Sequence, residues 1–142
     1  MNYLRFERTE MKKIIDPVDK SLIKKELTED KLMRSTNKAN NELYIFTHHD
    51  SPNLMLEVGR LREIAFRHYG GGTGKEADID KYDTMDTPYR QLIAWDPDNE
   101  EILGGYRFIC GADVEFNSNG KPILATSHLL NFSDKFIEEY LP

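Results

Sequence analysis

The side chains most able to do chemistry are concentrated between positions 60 and 83. A segment with helical spacing carries arginines, a glycine-rich turn follows at Gly70–Gly74, and three aspartates come next. The arginines are Arg60, Arg62 and Arg67, and the aspartates are Asp78, Asp80 and Asp83. Carboxylates that face arginines can form an ion-pair network, or they can position and deprotonate an amine. A solvated charged turn without a function is the alternative.

Two other functions of this segment fail on the details of its spacing. A phosphate-binding loop needs Ser or Thr after Lys75, where the chain has Glu76, and it follows a strand rather than a helix. A calcium loop needs glycine where Asp83 stands and glutamate where Tyr89 stands. We therefore expect no metal site here, and we expect the glycines to form a hinge or lid. A solvated loop with no role stays open.

Arg107 is a further candidate, in the apolar and glycine-rich segment GGYRF. An arginine on such a strand needs a partner, because an unpaired buried charge is costly. A structural salt bridge to one of the aspartates would explain it without a function. The adjacent glycines favour a ligand or a backbone segment that comes close. Cys110 is the only cysteine, so it cannot form an internal disulfide, and we expect it to be a small core residue rather than a nucleophile.

Composition narrows the class of protein. The chain has 142 residues, a length typical of one domain with a modest core. Its net charge of −6 argues against nucleic acid as the main ligand, because phosphate binding usually requires a basic excess. The N-terminus lacks the continuous apolar stretch of a signal peptide, and no apolar run approaches transmembrane length. We expect a cytoplasmic protein.

Capping signals and hydrophobic spacing predict the elements that would position these side chains. In the segment after Ser51-Pro52, apolar residues recur at helical spacing until the glycines stop the helix near Tyr69. Before this helix, the sequence predicts a helix from Asp16-Pro17 to about Leu27, a helical turn capped by Thr28 and reaching Arg34, a loop Ser35–Asn41 and a strand Glu42–Thr47. After it, the sequence predicts two strands, Tyr89–Trp95 and Ile102–Cys110, joined by the turn Asp96–Asn99. A turn at Asn119-Gly120 and a final helix capped by Ser133 complete the prediction. This order predicts an α/β or α+β fold with an antiparallel meander.

The anchors in this order resemble a known enzyme family. Arg62-x-x-x-Phe66, then Asp78-x-Asp80-x-x-Asp83, then a strand with Gly-Gly-Tyr-Arg107 look like the N-terminal half of a GNAT-like N-acyltransferase. Within this family the pattern resembles the acyl-homoserine lactone synthases and the ornithine-lipid and glycine-lipid acyltransferases, the latter often labelled hemolysins. The segment LREIAFRHYGGGTGKEADIDKYD is especially similar to the glycine-lipid branch of Bacteroidetes. The likeness covers residues 50–142 well and the first 50 more weakly. It implies an N-terminal extension over residues 1–50, and over 51–142 the N-terminal part of the domain, with a largely antiparallel mixed sheet that is incomplete at its C-terminus.

The resemblance implies transfer of a fatty acyl chain, often 3-hydroxylated, from acyl-carrier protein or CoA to the amine of a small amino acid such as glycine or ornithine. It implies no bound cofactor, an acyl-carrier protein as partner, and a cytoplasmic location with peripheral membrane contact. Asp80, Asp83 and Arg107 are the implied catalytic residues. Arg62, Phe66, Asp78 and Tyr106 are the implied substrate-binding residues. The lactone synthases depart from this pattern, with Glu at the position of Asp78 and a tryptophan in the stretch that is glycine-rich here.

Physical chemistry fits this interpretation, and one alternative stays open. An amine must lose its proton before it attacks a thioester, so a nearby carboxylate is useful, and an arginine pairs well with the carboxylate of an amino-acid acceptor. The alternative is a non-catalytic, truncated domain that binds an acyl carrier or another protein partner through exposed apolar surface.

Overall fold

The structure, a computed structural model, describes residues 11–141, so residues 1–10 of the predicted N-terminal extension and Pro142 lie outside the described residues. Four strands and four helices form in this part of the chain. In order they are α1 (Lys20–Glu26), β1 (Leu32–Ser35), β2 (Glu42–Phe46), α2 (Pro52–His68), α3 (Lys81–Thr84), β3 (Arg90–Asp96), β4 (Glu101–Phe108) and α4 (Asp134–Tyr140).

The strands form one sheet in the order β1-β2-β3-β4, and every neighbouring pair is antiparallel. This confirms the predicted α/β fold with a largely antiparallel sheet. Alternate residues of β3 face the core, because successive side chains on a strand point to opposite sides. Gln91, Ile93 and Trp95 are the buried residues of that face. In β4, Arg107 lies opposite Gln91, and Gly105 lies opposite Ile93.

Helix α2 forms the main core with this face of the sheet. Its apolar residues recur every three or four positions, so Leu54, Met55 and Val58 lie on one side of the helix and are buried. They join a cluster that also contains Ile23 and Phe46. Burial of each large apolar side chain contributes about 1.5–3 kcal/mol. The cluster therefore contains residues from segment 1–50 and from segment 51–142, which pack against each other in one core.

Two predictions in the first 35 residues were wrong. Helix α1 begins at Lys20 and is capped by Asp19, whose side chain accepts a hydrogen bond from Ser21 N at 2.7 Å, so Asp16-Pro17 does not start it. The helical turn predicted to reach Arg34 is only a 3₁₀ turn, Glu29–Lys31. Residues 32–35 instead form β1, because pairing with β2 satisfies their backbone groups in a way that local propensity does not show.

The N-terminus of α2 is where Ser51-Pro52 predicted it, but the capping group is different. The Ser51 hydroxyl donates to Asp50 at 2.7 Å and makes no capping bond to the helix. The Glu26 carboxylate accepts hydrogen bonds from Asn53 N at 3.1 Å and Leu54 N at 2.7 Å. These are amides that an N-cap side chain normally satisfies. Glu26 therefore caps α2 from the end of α1.

The second half of the fold follows the sequence more closely. Helix α2 ends at His68 with Tyr69 as its C-cap, near the predicted end. Strands β3 and β4 overlap the predicted segments, and Ser133 caps α4 by accepting from Phe136 N. The prediction of a buried Cys110 was wrong, because its side chain is exposed just after β4. A second apolar cluster around Tyr89 packs the segment 111–141 against the start of β3.

Candidate active site

An open cleft of about 790 Å³ separates the second half of α2 from β4. One part of its wall is apolar, with Val58, Leu61 and Phe66 from the helix and Ile102 and Leu103 from the strand. The other part is charged, and its ionic side chains are Arg62, Asp78, Asp80 and Arg107. The cleft thus joins an apolar surface to a compact group of charges.

Asp83 is the buried centre of this group. Its side chain is fully buried, and its Oδ1 atom accepts hydrogen bonds from Gln91 Nε2 and Arg107 Nη1, each at 3.0 Å. Its Oδ2 atom accepts from Asp80 N at 3.0 Å, and Arg62 Nη1 lies 3.3 Å from the same oxygen. A carboxylate with donors on both oxygens and no exposed surface can hold other groups in place, but it offers nothing to a ligand.

Asp80 joins the group to the short helix α3. Its side chain accepts from Tyr82 N and Asp83 N, and the Asp83 carboxylate in turn accepts from Asp80 N, which makes a capping box. Both of its oxygens also accept from the Arg107 guanidinium at 2.9 Å. Burial acts to raise the pKa of the Asp80 carboxyl, but the hydrogen bonds and charge of Arg107 outweigh it and hold that pKa below its usual value. Asp80 is therefore ionised at neutral pH and is a weak proton acceptor.

Arg107 is held from two sides. Its carboxylate partners are Asp80 and Asp83, and its guanidinium carbon lies 5.4 Å from the centre of the Tyr89 ring and 5.8 Å from that of Tyr82. Burial acts to lower the pKa of Arg107, but the two aspartates raise it above its ordinary value, so the side chain stays charged. The salt bridge anticipated for Arg107 is present.

Asp78 differs from the other two aspartates. The residue is 8% exposed, yet among residues 11–141 no hydrogen bond reaches its carboxylate. Its one charged partner is Arg62, whose Nε lies 3.3 Å from Oδ2. Its backbone N–H donates to Gly59 O at 2.9 Å, which fixes its position beside α2. The Asp78 side chain is 12% exposed and lines the cleft, so within residues 11–141 it has fewer partners than Asp80 or Asp83.

The structure brings together most of the residues that the sequence singled out. Arg62 joins the aspartates, and the exposed rings of Phe66 and Tyr106 line the cleft. Arg60 and Arg67 do not join them: they pair instead with Glu57 and Glu63, respectively, on the same helix.

Gln91 is a site residue that the sequence did not reveal. It is 2% exposed and donates to Asp83. A polar residue at an inward-facing position of the apolar segment YRQLIAW is the one signal that points to it.

The glycine turn is anchored rather than free along its length. Glu63 is fully buried, and its carboxylate accepts from Thr73 N at 3.0 Å, Thr73 Oγ1 at 2.6 Å, Gly74 N at 2.9 Å and Arg67 Nε at 2.7 Å. A Cβ at Gly72 would lie 2.4 Å from the Arg67 side chain, so this glycine is needed for close packing. Burial acts to raise the pKa of Glu63, but the bonds from Thr73 and Arg67 outweigh it and lower that pKa to about 2. The predicted hinge or lid motion stays a prediction.

Two other features are absent from the described part of the chain. Within residues 11–141, no group of three or more His, Cys, Asp or Glu side chains is placed to hold a metal ion. No helix in that same range is both long and apolar enough to span a membrane.

Comparisons with known proteins give a consistent result. Residues 61–138 match the family described as acetyltransferase (GNAT) domain. The chain is 64% identical over 132 residues to a protein of Bacteroides thetaiotaomicron named glycine N(alpha)-acyltransferase, covering 93% of this chain and 39% of the relative. It is 59% identical over 132 residues to a protein of the same name from Phocaeicola vulgatus, covering 93% of this chain and 40% of that relative. The chain thus spans about two fifths of the length of these curated relatives. No solved structure matches it.

Proposed function

Because the chain belongs to the acetyltransferase (GNAT) domain family, we propose that it forms the acceptor side of an N-acyltransferase that moves a fatty acyl group to the amine of glycine. The two relatives named glycine N(alpha)-acyltransferase support this acceptor, at 64% and 59% identity over nearly the whole chain. The family resemblance supports the same class of reaction.

One observation supports this proposal above the others: the cleft has an apolar wall that ends at a group of charges with an excess of carboxylates. Three aspartates surround two arginines, so the group has one negative charge that its own cations do not balance. An acylation of glycine needs such a pair of surfaces. The acyl chain is apolar, and the amine enters the site as a positively charged ammonium.

The proposed reaction converts an amine and a thioester into an amide and a thiol. The deprotonated amine nitrogen attacks the thioester carbonyl carbon, the C–N bond forms and the C–S bond breaks. The proton that the nitrogen then loses passes to the departing thiolate, which leaves as the thiol. The lowered pKa of Asp80 keeps its carboxylate ionised, so Asp80 adds to the negative charge that attracts the ammonium but is not suited to retain its proton. Asp83 and Arg107 hold Asp80 in place, and water can carry the proton away.

The donor and the setting are further parts of the proposal. We propose a fatty acyl thioester, often 3-hydroxylated, delivered by acyl-carrier protein or CoA, with the product serving lipid biosynthesis. An N-acylglycine is an amphiphile, because it joins a long apolar chain to a carboxylate. That chemistry is compatible with a cytoplasmic protein that touches a membrane surface.

The direct test is to incubate the protein with 3-hydroxyacyl and unsubstituted acyl thioesters of carrier protein or CoA, together with glycine or ornithine, and to detect N-acyl products by mass spectrometry. We expect N-acylglycine. Asp80→Asn and Arg107→Ala should lower turnover at least tenfold, whereas Asp98→Asn, which removes a carboxylate from an exposed turn, should not. Full turnover in Asp80→Asn and Arg107→Ala would refute the assigned roles, and the absence of any N-acylglycine would refute the function.

A further inference from the structure

The three aspartates differ in how many hydrogen bonds their carboxylates accept from neighbouring residues. Asp83 is fully buried and has donors on both oxygens. Asp80 accepts from Arg107 on both oxygens and from two backbone N–H groups on Oδ1. Asp78 accepts no hydrogen bond from residues 11–141, although it is 8% exposed and lines the cleft. Its one charged partner among the described residues is Arg62, so Asp78 is the aspartate with the most unused acceptor capacity toward the cleft.

Arg62 shows the complementary feature next to it. Its Nε lies 3.3 Å from Asp78, and its Nη1 lies 3.3 Å from Asp83. Its Nη2 donates no hydrogen bond to any described residue, and the side chain is 21% exposed and lines the same cleft. The two arginines of the site therefore differ, because Arg107 places both Nη1 and Nη2 on aspartates whereas Arg62 has an unused amino group.

We infer that the Asp78–Arg62 pair, rather than the group formed by Asp80, Asp83 and Arg107, binds the two charged ends of the zwitterionic amino-acid acceptor. Asp78 receives the ammonium, and Nη2 of Arg62 receives the carboxylate. This inference rests on the proposed function and makes it more specific. Opposite charges that lie side by side on one wall match a molecule whose ammonium and carboxylate are one carbon apart, and charge-assisted hydrogen bonds are the strong ones in such a site.

The same division assigns positioning roles to the other three residues. Asp83 orients Asp80 and Arg107. Together these three residues form a rigid, hydrogen-bonded group next to which Asp78 and Arg62 face the cleft. Asp78 is attached to α2 through its backbone bond to Gly59 O, and among residues 11–141 its carboxylate touches the buried group only through Arg62. Loss of its charge should therefore affect acceptor binding more than folding.

The test measures glycine binding to the protein by calorimetry, together with two probes that each lack one charge of glycine. Glycinamide has the ammonium without the carboxylate, and acetate has the carboxylate without the ammonium. Asp78→Asn should weaken glycine and glycinamide by about 10- to 150-fold, the equivalent of one charge-assisted hydrogen bond, and leave acetate unchanged. Asp78→Glu keeps the charge and should bind glycine more tightly than Asp78→Asn. Arg62→Lys should weaken glycine and acetate more than glycinamide.

Controls separate binding from folding and this inference from the proposed function. The melting temperature of Asp78→Asn should stay within a few degrees of the wild type, and Asp98→Asn should bind glycine normally. If the wild type makes N-acylglycine and Asp78→Asn keeps its KM for glycine, the inference is wrong and the function stands. A wild-type protein that neither binds nor acylates glycine refutes both. Equal weakening of glycinamide and acetate by Asp78→Asn also refutes the inference, because it indicates a general loss of the site.

Discussion

Replacement of Asp83 by asparagine should lower the free energy of unfolding far more than the same replacement at Asp78. The Asp83 oxygens together face Gln91 Nε2, Arg107 Nη1 and Asp80 N at 3.0 Å and Arg62 Nη1 at 3.3 Å. Asparagine has the shape of aspartate but replaces one oxygen by an NH₂ group. In either orientation that NH₂ group faces two other donors, so at least two favourable interactions become repulsive inside a buried site.

The expected magnitude follows from the hydrogen bonds that the buried carboxylate accepts. A hydrogen bond to a charged group contributes about 1.5–3 kcal/mol, so we expect Asp83→Asn to lower the free energy of unfolding by about 3–5 kcal/mol. In a domain of this size that corresponds to a fall in melting temperature of about 10–20 °C. At Asp78 the same replacement removes only one ion pair at 3.3 Å and no hydrogen bond from residues 11–141, and Arg62 keeps Asp83 as a charged partner, so Asp78→Asn should cost about 1 kcal/mol or less.

Thermal and urea unfolding followed by circular dichroism will measure both values, with Asp98→Asn as a control that removes the same charge from an exposed turn. The reasoning depends on the order of the two variants. A decrease of less than about 1 kcal/mol in Asp83→Asn, or equal decreases at Asp78 and Asp83, would show that the buried hydrogen bonds do not stabilise the fold as described.

Three further predictions concern the elements around the site. The pKa of Glu63 is lowered to about 2 in the folded protein. Its contribution to stability should therefore be complete above about pH 4.5 and be lost as the pH falls toward 2. The free energy of unfolding of Glu63→Gln should accordingly change less over that pH range than that of the wild type, which acid unfolding will measure. A Cβ at Gly105 would lie 2.4 Å from a backbone carbonyl oxygen of β3, whereas one at Gly104 would meet nothing within 4 Å. Gly105→Ala should therefore lower the free energy of unfolding by about 1–3 kcal/mol in urea titrations, and Gly104→Ala should change it by less than about 0.5 kcal/mol. Glu26→Ala removes the cap of α2 and should cost about 1–2 kcal/mol by the same titration; a larger decrease in Ser51→Ala would mean that Ser51 is the cap after all.

Local sequence signals were sufficient where one element carries its own start, spacing and stop. Helix α2 is such an element: Ser51-Pro52 opens it, apolar residues recur at helical spacing, and Gly70 follows its end. The strands β3 and β4 are similar, because two apolar segments enclose the turn Asp96–Asn99. By contrast, β1 exists because it pairs with β2, and nothing within residues 32–35 reports that pairing.

The acidic and arginine residues of the site were visible in the sequence, but their partners were not. Arg60 and Arg62 are about 200° apart around a helix, so only one of them can face the aspartates, and the spacing does not say which one. The register of β4 against β3 decides that Arg107 lies opposite Gln91 and within hydrogen-bonding distance of Asp83. A residue such as Gln91 acquires its role only from that register.

The amino-acid sequence by itself therefore determined the family, the main helix and hairpin, and a set of aspartates and arginines with the right chemistry. Only the tertiary structure decided that Asp83 is buried with donors on both oxygens, that Asp80 caps α3 and holds Arg107, and that Asp78 lies in the cleft with Arg62 as its one charged partner among residues 11–141. The physical reason is that residue type sets the charge and hydrogen-bonding capacity of a side chain. Its environment sets how much of that capacity is still free, and that environment is built by residues distant in the chain.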